Sequence, residues 1–330
     1  MIISRTTLPS LTLLLAFAWG CSDGRSAGNS TQTENTAARS ISVDSILPEW
    51  NHVTKGSTIA TLRLNAANFD FSQSDSAGLD LDVVKSDGTH VPFEIVFWDK
   101  LASLGRLHVR LDSSLLSQGS RFELSWSNPL MRRADSAAVW GGITDSQRLE
   151  VNSVLVDQFE NGSMTSLLPD SASWFTGTSD SGKINAFGLG SAPPNRTGTT
   201  LHLSYTARLL TGQYVYASLK LANSPRVFRS LDSLEFWARG SGNFSPALEH
   251  MLTSKSSHKA WKQLVIDTIS GWQRIRIRPQ DFDTAFPNSG SVGWTAIRDT
   301  IDHLTFLIGG SGDLWIDDIR LYGIDRGDLR

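Results

Sequence analysis

Most of the chain alternates apolar and polar side chains with a period of two residues. Such alternation is typical of β-strands that place one face against a core. Glycine-containing turn segments, such as 86–89 and 117–119, separate the alternating runs. The runs lie at 58–64, 79–84, 105–111, 121–126, 201–205, 214–219, 233–239, 273–277, 303–308 and 314–321. Many short strands with few helical stretches predict an all-β protein of two antiparallel β-sandwiches, divided near residues 145–151.

The alternation also assigns side chains of the second half to faces. The apolar residues are expected to face the core in strands 214–219, 233–239 and 273–277. The aromatic and charged side chains of these strands then lie on the opposite face. Aromatic rings stack on the apolar faces of sugars, and charged groups bind their hydroxyls. We therefore predict one sugar-binding surface built from Tyr214, Tyr216, Glu235, Trp237, Arg239 and Arg276. In the alternative interpretation, loops or the first domain cover this face. Trp261 is a further candidate.

Composition narrows the function classes. Hydrophobic residues make up 40% of the 330 and charged residues 19%, as in folded proteins. A formal net charge of -3 argues against a nucleic-acid partner. The single cysteine excludes an intrachain disulfide and a cysteine-based zinc site. Motifs of metalloproteases, serine hydrolases and phosphate-binding loops are absent, and no carboxylate pair has the spacing of a β-sandwich glycosidase. We predict that the protein is not an enzyme.

The N-terminus is predicted to direct export. Arg5 precedes an apolar run at 11–18, which is too short to span a bilayer but suits the core of a signal peptide. The following Ala18-Trp19-Gly20-Cys21 resembles the bacterial lipobox, whose cysteine is lipidated. This implies a signal peptide at 1–20, a lipid anchor at Cys21 and a flexible tether at 21–42, with the membrane contacted through the anchor only. Ser22 after the cysteine favours the outer membrane; the alternative is an ordinary signal peptide with an incidental cysteine.

The first folded segment, predicted at 43–148, resembles a bacterial family. Residues 84–99 (VKSDGTHVPFEIVFWD) and 125–129 (SWSNP) are similar to hallmarks of the domain of unknown function number 2341. That family has no settled activity. We expect this β-sandwich to act as a spacer or as a second recognition module.

The second segment, predicted at 149–330, resembles the galactose-binding-like jelly rolls that include carbohydrate-binding module family 11 and the complex I intermediate-associated proteins. The motifs are LVDQFENG (155–162), LEFWARGSG (234–242), GWQRIRI (271–277) leading to Asp281-Phe282, and GDLWIDDIRL (312–321). The resemblance implies a surface-anchored protein that binds a polysaccharide, such as a plant cell-wall β-glucan. A structural or adhesion protein with a protein partner is the alternative. An assembly factor fits poorly with an export signal.

The same resemblance implies one structural calcium ion between the first and last strands of the jelly roll. Glu160 and Asp318 are the expected ligands, because carboxylate oxygens suit this ion. Strand alternation lets only one of Asp317 and Asp318 point to a metal. Solvated or salt-bridged aspartates are the alternative.

Overall fold

Two antiparallel β-sandwiches form the described part of the chain, as the alternation predicts. A computed structural model describes residues 37–42, 52–54, 57–112, 115, 121–127, 134–168, 172–179, 182–207, 214–253, 256–266, 271–283, 292–324 and 326–329. Thr36–Arg330 is one compact unit. The predicted signal peptide and Cys21 lie outside the described residues. Among the described residues, no helix combines the length and apolar character needed to cross a bilayer.

Among the described residues, the first sandwich has seven strands in two sheets. They are β1 (Ala37–Ser42), β2 (His52–Thr54), β3 (Ser57–Asn65), β4 (Asp82–Lys85), β5 (Phe93–Asp99), β6 (Leu104–Asp112) and β7 (Arg121–Trp126). One sheet has the order β1-β7-β4 and the other β2-β3-β6-β5. Leu62, Phe93, Leu107 and Phe122 pack between them in the core. Each sheet thus places its apolar face inward.

Strand β1 lies within the segment predicted as a tether. Residues 37–42 of the expected flexible segment pair with β7, Ala37 opposite Trp126 and Ser42 opposite Arg121. This segment has no apolar periodicity, so its own side chains did not predict a strand. Backbone groups supply the pairing, since the edge of β7 offers donors and acceptors to any extended segment.

Two short helices follow, where the sequence predicts the domain boundary. These are α1 (Ser136–Trp140) and α2 (Asp145–Val151). Asp135 accepts a hydrogen bond from Ala138 N, and Thr144 caps α2 through a reciprocal pair with Gln147. Trp140 packs with buried Ile59 and Val151. The predicted division at 148/149 therefore falls within a helix that packs on the first sandwich.

The described residues of the second sandwich form twelve strands and one short α-helix. They are β8 (Ser153–Asp157), β9 (Phe175–Thr178), β10 (Lys183–Ser191), β11 (Thr199–Thr206), β12 (Val215–Lys220), β13 (Ser233–Gly240), β14 (Gly242–Thr253), β15 (Ser256–Trp261), β16 (Leu264–Ile266), β17 (Gln273–Ile277), α3 (Trp294–Ile297), β18 (His303–Gly309) and β19 (Ser311–Tyr322). The front sheet has the order β10-β11-β19-β13-β17, with β8 also on β19. The back sheet has the order β15-β14-β18-β12-β9, with β16 also on β14.

The core of the second sandwich lies between the front and back sheets. Phe236 and Ile316 enter it from the front sheet, and Leu219 and Phe306 from the back sheet. Phe236 and Phe306 meet edge to face with ring centroids 5.2 Å apart. The inward positions that alternation predicted in β12 and β13 are all buried. Aromatic and charged residues at the intervening positions therefore lie on the two outer faces.

Ion pairs join the two sandwiches. Arg229 of the second sandwich donates to Asp99 Oδ2 at 2.8 Å, and it holds Asp299 through Nε and Nη2 at 2.6 and 2.7 Å. Arg106 of the first sandwich donates to Asp328 at 2.6 Å. These contacts fix the first sandwich against the second rather than leaving it on a free linker.

Candidate functional site

The six residues predicted to form one sugar-binding surface lie on two opposite faces. Tyr216 is on β12 of the back sheet, and Tyr214 immediately precedes that strand. The other four lie on β13 and β17 of the front sheet: Glu235, Trp237, Arg239 and Arg276. The prediction of a single surface is therefore wrong. Alternation gives the face of a strand but not the sheet that the strand joins.

A loop covers Trp237 on the front sheet. Residues 192–198 connect β10 to β11, and the Arg196 guanidinium lies 5.0 Å from the Trp237 ring centroid and 5.5 Å from that of Trp272. Arg239 donates to Pro194 O at 2.9 Å, which holds the same loop. Trp237 thus stacks on a guanidinium rather than presenting an open ring. The front sheet thus matches the alternative interpretation, in which a loop covers this face.

Glu235 is committed to ion pairs on the same face. Its side chain is 7% exposed and accepts from Arg274 at 2.6 and 3.0 Å. Arg276 lies 3.2 Å from it and also donates to Asp232 at 2.5 Å. The hydrogen bonds and charge of Glu235 raise the pKa of Arg274. Because both oxygens of Glu235 have partners, this carboxylate stabilises the sheet and is not available to a sugar.

Asp317 and Asp318, of which the second is an expected calcium ligand, lie at a gap in the front sheet. Strand β11 pairs with β19 as far as Ile316, and β8 pairs with it from Ile319 onward. Asp317 and Asp318 fall between these two neighbours, and Asp318 has a positive φ of 47°. The irregular backbone turns both carboxylates toward one cavity, whereas regular alternation predicted only one.

Arg196 occupies the place where a metal ion was expected. Its Nε donates to Asp317 and its Nη2 to Asp318. Glu160, in the turn after β8, accepts from Thr199 N at 3.2 Å. Among the described residues, no group of three or more His, Cys, Asp or Glu side chains is arranged to hold a metal. Since a guanidinium engages both aspartates, Glu160 and Asp318 do not fit a calcium site in this arrangement, and calcium binding stays a prediction.

The outer face of the back sheet carries a second group of aromatic residues. Tyr214 and Tyr216 pack with Trp261, Leu307 and Ala247 in a cluster separate from the main core. The two tyrosine rings are 6.4 Å apart. These tyrosines are half-buried, whereas Trp261, the further candidate, is buried at the end of β15. This face therefore presents aromatic side chains that the fold does not use in its core.

Small side chains lie between the aromatic residues of the back sheet. One row across the strands runs from Phe175 through Ser218, Thr305 and Ala247 to Trp261. Ser218 and Thr305 share a hydrogen bond of 2.8 Å. These three central side chains are much smaller than the rings at either end, and all three are buried. We call this row and its flanking residues the back groove.

Tyr216 is fitted closely to its neighbour at the rim of the back groove. Gly177 lies opposite it on β9, and a Cβ at that position would collide with the Tyr216 hydroxyl. Phe175 is 43% exposed and meets Tyr216 edge to face at 6.2 Å. Burial raises the pKa of Tyr216, with smaller contributions from Tyr214 and Glu249. Its hydroxyl therefore stays protonated and can both donate and accept hydrogen bonds.

Charged residues follow the next row of the same face. Lys220, His303, Glu249 and Lys259 stand side by side across four strands. Lys259 lies 3.4 Å from Glu249, and His303 Nδ1 lies 2.6 Å from Asp302. Sequence analysis missed Phe175 and Glu249, because β9 and β14 carry no clear alternation. Only the pairing of β9 with β12 brings Phe175 to the tyrosines.

Solved structures of carbohydrate-binding modules resemble about half of the chain. The family 11 module of the cellulosomal cellulase Lic26A-Cel5E of Clostridium thermocellum is 19% identical, with a TM-score of 0.41, over 52% of this chain and 95% of its own. A family 11 module from Clostridium thermocellum in complex with a β-1,3-1,4-mixed-linked tetrasaccharide is 18% identical, with a TM-score of 0.40, over 52% and 96%. A family 30 module is 13% identical, with a TM-score of 0.37, over 54% and 90%.

No family model matches the chain, and no curated protein matches it. The resemblance of residues 84–99 and 125–129 to the domain of unknown function number 2341 therefore stays a prediction. The similarity to carbohydrate-binding modules does not identify a ligand at these identities.

Proposed function

We propose that this protein is a non-catalytic polysaccharide-binding protein that holds its ligand in the back groove. The observation that supports this most directly is the aromatic cluster of Tyr214 and Tyr216 outside the core, beside the small side chains of Ser218 and Thr305. A sandwich does not need these aromatic residues for its own core, since the main apolar cluster packs between the sheets.

The chemistry of the back groove suits a sugar chain. Rings of Phe175 and Tyr216 offer apolar surfaces for the faces of pyranose rings. Half-buried polar side chains of the charged row, namely Lys220, His303 and Lys259, offer hydrogen-bond partners for sugar hydroxyls. Five neighbouring strands span about 19 Å at about 4.8 Å per strand, which is room for a short oligosaccharide.

We propose a β-glucan of the plant cell wall as the ligand. Its β-linked glucose units expose flat apolar faces bordered by equatorial hydroxyls. That pattern matches aromatic rims next to polar groups better than it matches an all-charged surface. We also propose export and a lipid anchor at Cys21, because an apolar signal-like run ends at the only cysteine. The first sandwich, ion-paired to the second through Arg229, would then hold the groove away from the membrane.

Affinity electrophoresis of the full-length protein against β-glucans, xylans and mannans tests the proposal. We expect β-glucan to retard the wild type. Tyr214→Ala and Phe175→Ala should each weaken binding a few-fold to tenfold, since one aromatic contact contributes roughly 0.5–1.5 kcal/mol and 1.4 kcal/mol is about tenfold in affinity. Gly177→Ala should weaken it as well, because the added methyl group displaces Tyr216.

Trp315→Ala is the matched control. Trp315 is half-buried on the front sheet, where it stacks on His202 at 4.9 Å with 8° between the rings. This variant should bind as the wild type does. If no glycan retards the wild type, or if the control loses retardation as fully as Tyr214→Ala, the back groove is not a sugar site. The structural or adhesion interpretation then replaces it.

A further inference from the structure

A positively charged side chain closes the gap that β8 and β11 leave along β19. Asp317 is buried, Asp318 is half-exposed, and Glu160 lines the same cavity. Three carboxylates around one cavity repel one another unless a cation lies between them. Arg196, from the β10–β11 loop, supplies that charge to both aspartates.

The Arg196 guanidinium has both charged and aromatic partners. Two of its nitrogens donate to carboxylates in the plane of the group, and the rings of Trp237 and Trp272 lie near it at 5.0 and 5.5 Å. Planar, delocalised guanidinium suits both kinds of contact, while an ammonium group suits neither as well. Burial opposes its charge, but the hydrogen bonds and charges of Asp317 and Asp318 outweigh this and raise the pKa of Arg196.

We propose that Arg196 is the resident cation of this cavity and stands in the place of the calcium ion expected between Glu160 and Asp318. The first and last strands of the second sandwich are therefore held together without a metal ion. Glu160 belongs to the same arrangement, because its carboxylate accepts a hydrogen bond from Thr199 N. Thr199 is the first residue of β11, directly after the loop that carries Arg196. This inference is independent of any sugar ligand.

The test compares the melting temperature of the full-length protein in calcium and in chelator, with calorimetric titration of calcium. The wild type should melt at the same temperature in both and bind no calcium. Arg196→Gln should melt lower in chelator by roughly 6 °C or more, and millimolar calcium should restore part of the loss by entering the vacated cavity. Arg196→Lys should fall between the two, since it keeps the charge but loses the planar fork.

Arg278→Gln is the control, because it removes the same charge from an exposed ion pair with Asp281. Its melting temperature should stay near that of the wild type. Stoichiometric calcium in the wild type, or a rise in its melting temperature with calcium, overturns the proposal. The proposal is also overturned if Arg196→Gln melts at the same temperature as the control, or if calcium does not change the melting temperature of Arg196→Gln. If Arg196→Gln does not fold in either buffer, the wild-type titration and Arg196→Lys decide between the outcomes.

Discussion

The guanidinium carbon of Arg196 lies 5.0 Å from the ring centroid of Trp237, across the outer face of the front sheet. This contact changes the role of a tryptophan that strand alternation places on the outside. A ring that faces solvent can stack on a ligand, but this ring stacks on a guanidinium that two aspartates hold in place. Trp237 therefore contributes to the stability of the second sandwich.

Replacing Trp237 should affect stability rather than binding. Trp237→Ala removes a cation–π contact and half-buried apolar surface, so we expect the free energy of unfolding to fall by about 1–3 kcal/mol. Retardation by a glycan should persist in the folded variant. Urea unfolding and affinity electrophoresis on one preparation measure both. A stable Trp237→Ala variant that no longer binds glycan would return the binding surface to the front sheet.

Arg229 should couple the two sandwiches. It bridges Asp99 of the first sandwich and Asp299 of the second through three hydrogen bonds. Arg229→Gln should lower the free energy of unfolding by about 1–2 kcal/mol, because charged hydrogen bonds are lost. Scanning calorimetry should show a broader transition than in the wild type. An Arg229→Gln transition as narrow and as high as that of Arg278→Gln contradicts this role.

His108 should make stability depend on pH. It is buried beside Glu94, with Nδ1 3.0 Å from Glu94 Oε1, and Trp140 Nε1 donates to the same oxygen at 2.7 Å. Burial lowers the pKa of His108, despite the opposing effect of Glu94. The unfolded chain therefore binds a proton at this residue that the folded chain does not, and its stabilising contribution is complete only above the unfolded pKa of about 6.5.

We therefore expect the free energy of unfolding to fall as the pH drops from about 7 to about 5, as the unfolded His108 becomes protonated. Hydrogen bonds lower the pKa of Glu94 although burial opposes its charge, so Glu94 adds a further loss at lower pH, below about 4.3. His108→Gln should flatten the first part of this dependence in urea unfolding. Exposed His258→Gln should not. Equal slopes in both variants would contradict the assignment.

Cys21 should carry the lipid. In a bacterial host, a fatty-acid probe should label the wild type, because the apolar run at 11–18 lies just before this cysteine. Cys21→Ala should lose the label and leave the membrane fraction. Labelling that survives the substitution excludes Cys21 as the anchor.

Strand alternation determined the fold class and the face of each side chain. Leu234, Phe236 and Ala238 are all buried, and Tyr216 and Trp237 are outside the core. Their positions in the alternating pattern predict this. The face of the strand on which a side chain lies is a local property. Successive side chains of an extended backbone point to opposite sides, irrespective of the strands with which it pairs. The sequence could therefore find the candidate aromatic residues, while Phe175 on the four-residue strand β9 gave too short a pattern to detect.

Only the tertiary structure decided which of these residues share a surface. Tyr216 and Trp237 both occupy outward-facing positions of their strands. However, β12 and β13 belong to opposite sheets, because each pairs with strands far away in the sequence. The covering of Trp237 depends on Arg196 reaching Asp317, 121 residues further along the chain. Such pairings depend on loop closure, strand order and the irregular backbone at Asp318. They are set by the packing of the whole sandwich, which no short window of sequence contains.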